Sequence, residues 1–520
     1  MSSKLHVCML AAENDVIPGA KVGGIGDVVR DIPTALASQD VEITVIIPAY
    51  GAFHLLPDAK LVGACSTLFR GKTERVEIYE LYADSIPGVR YLVLHNPVFA
   101  ACGKGHVYCD DDPSQPFATD ANKFAFFCVA GLSVISQDLI GQVDVLHLHD
   151  WHTGLASALI KYDPAFESLK ALRCVFSIHN IALQGIRPLA ENTSSLQTWF
   201  PHLHYNPDDL SDPRWPHCVN PIATAIRLAD SVHTVSPTYA REIIESNDAS
   251  KGFHGGEGLE GDLQNAAHQG KLVGILNGID YSSSGGDALS WPQFIQQTSD
   301  ELLNIMARKP ELISIDYLAH QRLMRWQNLT RPKHIITGVG RLTGQKMALL
   351  LNPVEDGSIP LETMLESLDE RGLFILLGSG DSELENQCRL IATRNTQFLF
   401  LNLYSDRLAN LLFANGDLFL MPSSFEPCGI SQMLSMREGQ PCLAHAVGGL
   451  RDTINDNEDG FLFAGDSMEA QSAALQSRFE EILLMREQRP DKFREISNNA
   501  RKQRFEWRSS AERYISELYQ

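Results

Sequence analysis

The chain is short of positive charge. Its 520 residues carry 43 lysines and arginines against 64 aspartates and glutamates, a formal net charge of −21. That balance excludes a broad nucleic-acid-binding face, which needs basic residues in excess. It leaves room for a small basic pocket. Long hydrophobic runs are also missing: none reaches the ~18 apolar residues of a membrane span. The opening stretch MSSKLHVCMLAAEND meets acids too early for a secretory signal, so the cytoplasm is the expected location. The ten cysteines show no CxxC spacing, which argues against zinc and for reduced, mostly buried thiols. No solenoid-length repeat interrupts the chain.

What is present is alternation. HVCMLAAE, VEITVIIPAY, VDVLHLHD, RCVFSIHN and SVHTVSP are short apolar runs that end in polar residues. Helical stretches such as DVVRDIPTALASQ, NKFAFFCVAGLSVIS and WHTGLASALIKY lie between them. This order predicts parallel sheets covered by helices on both faces. The pattern restarts after about residue 265 with KLVGILNGID, followed by KHIITGVGRL, GLFILLGSGD, QFLFLNLYSD, GDLFLMPSSF and PCLAHAVGG. The length also favours more than one core. The prediction is therefore α/β, with two doubly wound, Rossmann-like domains facing a cleft. Their expected bounds are 1–262 and 263–503, joined through the glycine-rich stretch NDASKGFHGGEGLEGD, with a terminal helix over 504–520 crossing back to the first domain. The segment YSSSGGDALS (281–290) is expected to be a loop of the second domain. In open α/β sheets ligands bind beyond the carboxyl ends of the strands, and polar residues gather there.

Four clusters carry candidate chemistry. KVGGIGDVV (21–29) puts Lys21, Gly23 and Gly24 before a helix whose amides suit an anion; a plain strand–helix connection is the alternative. GRLTGQK (340–346) puts Arg341 and Lys346 in a turn after a strand, either to neutralise a diphosphate or as two solvated charges. LHLHDW and SIHN place His147, His149 and His179 at strand ends. A metal could use His147, His149 and His152, but no Cys or Glu partner is suitably spaced, and a histidine or aspartate bonding sugar hydroxyls is more economical. SSFEPCG offers Glu426 beside Pro427, a turn or first-helical-turn residue, and Gly429. Glu426 could cap the helix or hold a sugar that becomes cationic in the transition state.

Together these stretches resemble the bacterial glycogen synthases and plant starch synthases, the retaining family 5 of GT-B glycosyltransferases. KVGGIGDVV, HLHDWHTG, HNIALQG, HTVSPTYAREI, GILNGID, GRLTGQK, LLGSGD, MPSSFEPCGISQ and GGLRDTI match in family order across most of the chain. The resemblance implies transfer of glucose from a nucleotide sugar, usually ADP-glucose in bacteria, to the non-reducing end of an α-1,4-glucan. It implies that Arg341 and Lys346 hold the diphosphate and that His179 and Glu426 grip the glucose. Lys21, Gly23, Gly24, Gly429 and Ile430 would approach the donor, and Tyr404 would pack on the base. Asp27, Asp150, Asn180 and Asn277 match acceptor-side or cleft positions. No metal or other cofactor is implied.

Some positions depart from the family. Ser424 and Ala223 replace an arginine and a lysine, and RWPHCVNP (214–221) is unlike the family pattern. The diphosphate residues match. Two alternatives follow: the same donor chemistry with a small hydroxylated acceptor, or a non-catalytic glucan-binding regulatory protein. Oligomeric state is not legible.

Overall fold

Short runs of Val, Ile, Leu and Phe make strands here because helices cover both sheet faces and leave no polar side to the strand. The structure, a computed structural model, describes residues 4–82, 86–282 and 288–520. Residues 283–287 of the expected 281–290 loop lie outside these. The chain divides into two compact units: 1–247 with 255–278 and 507–520, and 248–254 with 279–506.

In the first unit the strands are β1 His6–Leu10, β2 Glu42–Pro48, β3 Ala59–Phe69, β4 Lys72–Leu81, β5 Val89–His95, β6 Val145–His149, β7 Arg173–Ile178, β8 Arg187–Pro188, β9 Cys218–Val219, β10 Ser231–Thr234 and β11 Leu272–Gly274. Nine of them form one sheet in the order β11-β10-β7-β6-β1-β2-β5-β4-β3, and β8 pairs with β9. The centre is parallel, as predicted. One edge is not: β4 runs antiparallel to both β3 and β5. Arg70 and Gly71 turn the β3–β4 hairpin with φ of 52° and 70°, the left-handed pair of a two-residue turn. The run KLVGILNGID, expected to open the second domain, instead supplies β11, which pairs with β10 at the far edge of this first sheet. Helix Ala118–Ser136 is long and apolar enough to cross a membrane, but it is mostly buried within the protein. It is a core helix, packed against helix Trp151–Tyr162 and β3. At the C-terminus, helix Trp507–Arg513 runs into a wider π turn, Tyr514–Leu518. It is tied down by Trp507 to Asp31 (3.1 Å) and by Tyr519 to His147 (2.8 Å).

In the second unit β12 His334–Val339, β13 Gly372–Leu377, β14 Phe398–Leu401, β15 Leu418–Met421, β16 Cys442–His445 and β17 Phe461–Phe463 form a wholly parallel sheet ordered β14-β13-β12-β15-β16-β17. Alternate residues feed two separate cores. Ile336, Phe374, Phe400 and Leu420 pack on one face; Ile335, Ile375, Leu399 and Phe419 pack on the other. That two-residue period is the strand geometry itself. It is why strands such as β13 and β14 read as continuously apolar.

Candidate active site

In the first unit, β1 ends at Leu10 and the chain turns through Glu13, which is 2% exposed. Glu13 Oε2 accepts the amides of Val22 (2.7 Å) and Gly23 (2.5 Å). Its other oxygen accepts the Tyr108 hydroxyl at 2.7 Å. Two of the loop amides expected to face an anion are therefore held by the protein's own carboxylate. Gly23 caps helix Gly24–Ala37, and a Cβ on Gly24 would meet nothing within 4 Å, so the loop's backbone is approachable there. Lys21 Nζ lies 2.6 Å from Asp27 and 3.3 Å from Asp15. Arg30 joins the same cluster through Asp15, Asp27 and Asp31. Burial pushes the Asp27 carboxyl up, against the opposing pull of Lys21 and Arg30.

At the ends of β6 and β7 the histidines are buried and neutral. Asp150 follows β6 directly with φ 54° and ψ −173°. A non-glycine residue held there costs about 1–3 kcal/mol. Its Oδ1 accepts the His179 amide at 2.7 Å. Burial pushes the Asp150 carboxyl up to about 7, with the amides of His179 and Asn180 opposing. His179 Nε2 meets His149 Nδ1 at 2.9 Å. His149 stacks on His147 with centroids 4.4 Å apart. His147 in turn bonds Ser177 (2.6 Å), which bonds His233 (2.8 Å). Burial lowers His147 to about 3, His152 to about 3 and His179 to about 4, and takes His149 and His233 well below their ordinary value. Both nitrogens of His147 are engaged and His152 Nε2 lies 3.1 Å from the Tyr108 hydroxyl. The alternative of a His147–His149–His152 metal set therefore gains nothing from the geometry. Asn180 turns back to the Ala182 amide (3.0 Å). Asn277, after β11, is buried, and its Oδ1 has no partner among the described residues.

The second unit gathers charge. Arg341 stands exposed two residues beyond β12, and helix Gly344–Leu351 follows. The segment after β15 is zippered onto that helix start: Ser424 N donates to Gln345 O (2.8 Å) and Gln345 Nε2 to Phe425 O (2.7 Å). This brings Lys346 into an ion pair with Glu426, which is 6% exposed and also accepts from Ser423 Oγ at 2.9 Å. The capping alternative for Glu426 is thereby excluded, since the helix that follows starts only at Ser431, with Ile430 as its N-cap residue. Pro427 likewise lies outside that helix. A Cβ on Gly429 would fall 2.5 Å from both Gln432 and Met421, so glycine is required by packing. Tyr404, beyond β14, is 64% exposed and donates to Asp406 at 2.5 Å.

Arg341, Lys346 and Glu426 thus share one strand-end region, and Asp150 and His179 share another. Tyr404 stands two strands away from the first of these, at the sheet edge. Glu13, Tyr108, Ser423 and Gln345 were not singled out by the sequence pattern. For Glu13 the signal was available: an acid just past the first strand's carboxyl end.

Residues 6–265 match the starch synthase catalytic domain family, and residues 359–503 match glycosyl transferases group 1. The chain is 31% identical to a glycogen synthase of Aeromonas salmonicida (strain A449), over 99% of this chain and 98% of that one. It is 30% identical to one of Vibrio parahaemolyticus serotype O3:K6, over 100% and 99%. Its structure superposes on the catalytic domain of Arabidopsis thaliana starch synthase IV bound to ADP and acarbose, with a TM-score of 0.74 at 26% identity and 99% coverage of both chains.

Proposed function

Because the chain belongs to the glycogen and starch synthase family of glycosyltransferases, we propose that it moves glucose from ADP-glucose to the non-reducing end of an α-1,4-glucan, with retention, in the cytoplasm. The observation that carries this reading is the Lys346–Glu426 pair beside Arg341, at the carboxyl ends of β12 and β15. Bond breaking leaves positive charge on the sugar and negative charge on the departing diphosphate. Arg341 and Lys346 stabilise the diphosphate, and one such contact is typically worth ~3–4 kcal/mol in the transition state. Glu426, with Lys346 and Ser423 fixing one oxygen, bonds hexose hydroxyls and faces the developing sugar cation.

The backbone at Gly429 and Ile430 and the loop Lys21–Gly24 approach the donor in this reading. Tyr404 packs on the base, and Asp27, Asp150, Asn180 and Asn277 shape the acceptor side. His179 is neutral, so it exchanges hydrogen bonds with hydroxyls without repelling the cationic sugar. The acceptor hydroxyl attacks from the face the diphosphate leaves, and the diphosphate takes its proton. No side-chain nucleophile is needed, and the fixed cations serve in place of a metal. The ADP named with the Arabidopsis enzyme supports adenine as the base.

One observation favours a smaller acceptor. Ala223, where the family carries lysine, is fully buried in helix Pro221–Leu228. The unusual stretch before it is locked by Asn220 and Arg214 onto Gln184 and Asp212. A matrix of nucleotide-glucoses against glycogen, maltooligosaccharides and small polyols decides between them. Glucan elongation from ADP-glucose is expected; turnover on polyols alone would select the second reading, and no turnover anywhere would defeat both.

A further inference from the structure

Cys102 and Cys109 are the exception to the expected reduced, mostly buried thiols. They are joined as a disulfide with their Cα atoms 5.2 Å apart, while the other eight cysteines are free. Both are half-buried, and Gly103, Lys104, His106 and Asp110 around them are exposed. Under the pair lies Lys123, whose Nζ is 3.7 Å from Cys102 Sγ and 3.9 Å from Cys109 Sγ. Asp120 Oδ1 at 2.7 Å and the Val107 carbonyl fix that amine in place. Asp120 also completes a cluster with the two sulfurs, but a lysine amine seated against both sulfurs makes it a poor cation site. Burial lowers this amine below its ordinary value while Asp120 holds it up; in its charged form it favours the thiolate, the species that exchanges.

A cavity of about 360 Å³ reaches this cluster through Ala101 and Lys123, with Arg70, Lys72 and Glu74 also in its wall and the two cysteines beyond its lining. Its cations suit a small thiol that carries carboxylates. In a reducing cytoplasm, surviving disulfides are usually transient or redox-sensing. The crosslink also reaches the candidate site. Tyr108 precedes Cys109 in the chain, donates to Glu13, and Glu13 holds the amides of Val22 and Gly23.

The geometry points to a thiol–disulfide exchange site at Cys102–Cys109 that takes a low-molecular-weight thiol or disulfide and, through Tyr108 and Glu13, sets the glycine loop. The consequence for turnover rests on the donor-binding role proposed for that loop. In the oxidising direction one cysteine thiolate attacks the small disulfide, whose S–S bond breaks and releases one thiolate. The second cysteine thiolate then attacks the mixed disulfide and releases the other. Two electrons pass from the protein sulfurs to the small disulfide, and the two thiol protons end on the released thiols. Reduction runs the same steps backwards.

The test equilibrates the full-length protein with graded ratios of reduced to oxidised glutathione, followed by alkylation and peptide mass analysis. Cys102 and Cys109 should pass together between free and joined states while Cys8 and Cys442 remain thiols. Amide hydrogen exchange over residues 21–26 should be at least about fivefold faster in the reduced form, and the donor KM should shift by a similar factor. The double variant C102S/C109S should show the reduced-form values at every ratio. Y108F should still exchange thiols but lose most of the difference in amide exchange. A pair that stays in one state across all ratios overturns the exchange site. Identical amide exchange in the two wild-type forms overturns the control of the loop. Both readouts stand without turnover, so an inactive protein would defeat the synthase reading alone.

Discussion

The two units build their strand-end sites from opposite materials. The second unit uses full charges: the exposed Arg341, the half-buried Lys346 and the buried Glu426 carboxylate, with a Lys346–Glu426 pair at the centre. After β6 and β7 the first uses groups that burial keeps neutral, His179, His149 and His147, behind a strained Asp150; its charges sit apart, in the Lys21–Asp27–Arg30 cluster after β1. The difference suits the proposed reaction. A departing diphosphate needs cations that are present throughout, whereas a sugar that turns cationic is best held by neutral donors and acceptors and one well-placed carboxylate. The contrast also predicts different sensitivities. Truncations in the second unit should strike the rate, and acid should strike the first unit's stability.

The largest effect is expected at Glu426. Replacing it with alanine should lower kcat by about 100- to 1,000-fold in a glucan-dependent ADP-release assay, with unchanged circular dichroism. Lys346→Ala should approach the same loss, because it removes a diphosphate cation and leaves Glu426 paired only by Ser423. Equal, mild effects of the two substitutions would erase the contrast between the units.

Next in size is the acid response. The folded pKa values of His147, His152 and His179 lie at about 3, 3 and 4, below the ordinary 6.5. A depressed histidine contributes stability that is present above pH 6.5 and lost as pH falls through its folded pKa. Urea midpoints should therefore fall steeply between pH 6.5 and 4, a loss of about 3 kcal/mol at 1.36 kcal/mol per unit for each group fully displaced. His147→Gln should flatten that slope. Asp150 acts with the opposite sign, since its raised pKa of about 7 gives stability that is lost as pH rises from about 4 through 7. Asp150→Asn should gain on the wild type above pH 7.

His179→Ala should cost about tenfold to a hundredfold in kcat/KM. His149→Phe should produce a smaller loss of the same kind, since His149 bonds the His179 ring and stacks on His147; His149→Asn should restore part of it. Tyr404→Ala should be the mildest, raising the donor KM about threefold by removing one stacking ring.

Much of this arrangement was legible in the chain. Most parallel strands announced themselves because both their faces are covered and the apolar run is unbroken, although β5 and β17, parallel to β2 and β16, were not singled out; polar clusters follow several of them. Arg341, Lys346 and Glu426 were readable because charge beside a buried strand end has few uses. The edge hairpin β3–β4 was harder. Its strands are only partly covered, and exposed polar residues such as Lys60, Ser66 and Arg75 break the apolar pattern. β11 was assigned to the wrong sheet because a three-residue strand carries no signal of which neighbour it will pair with. The Cys102–Cys109 link depends on a loop path shaped by Gly103 and Gly105, both with positive φ, and spacing alone does not encode such a path. The Glu13 clasp on the glycine loop joins residues nine and ten positions apart through backbone amides, which have no side-chain signature.

In the proposed function, glucosyl transfer is driven by the cations and the carboxylate of the second unit. The most direct test follows labelled glucose from ADP-glucose into maltooligosaccharide, with wild type and Glu426→Ala measured side by side. Chains lengthened by α-1,4-linked units, one ADP released per glucose added, and near-silence from the folded variant are the predicted result. A wild-type protein that lengthens no chain, or a variant that lengthens them as fast, would contradict it.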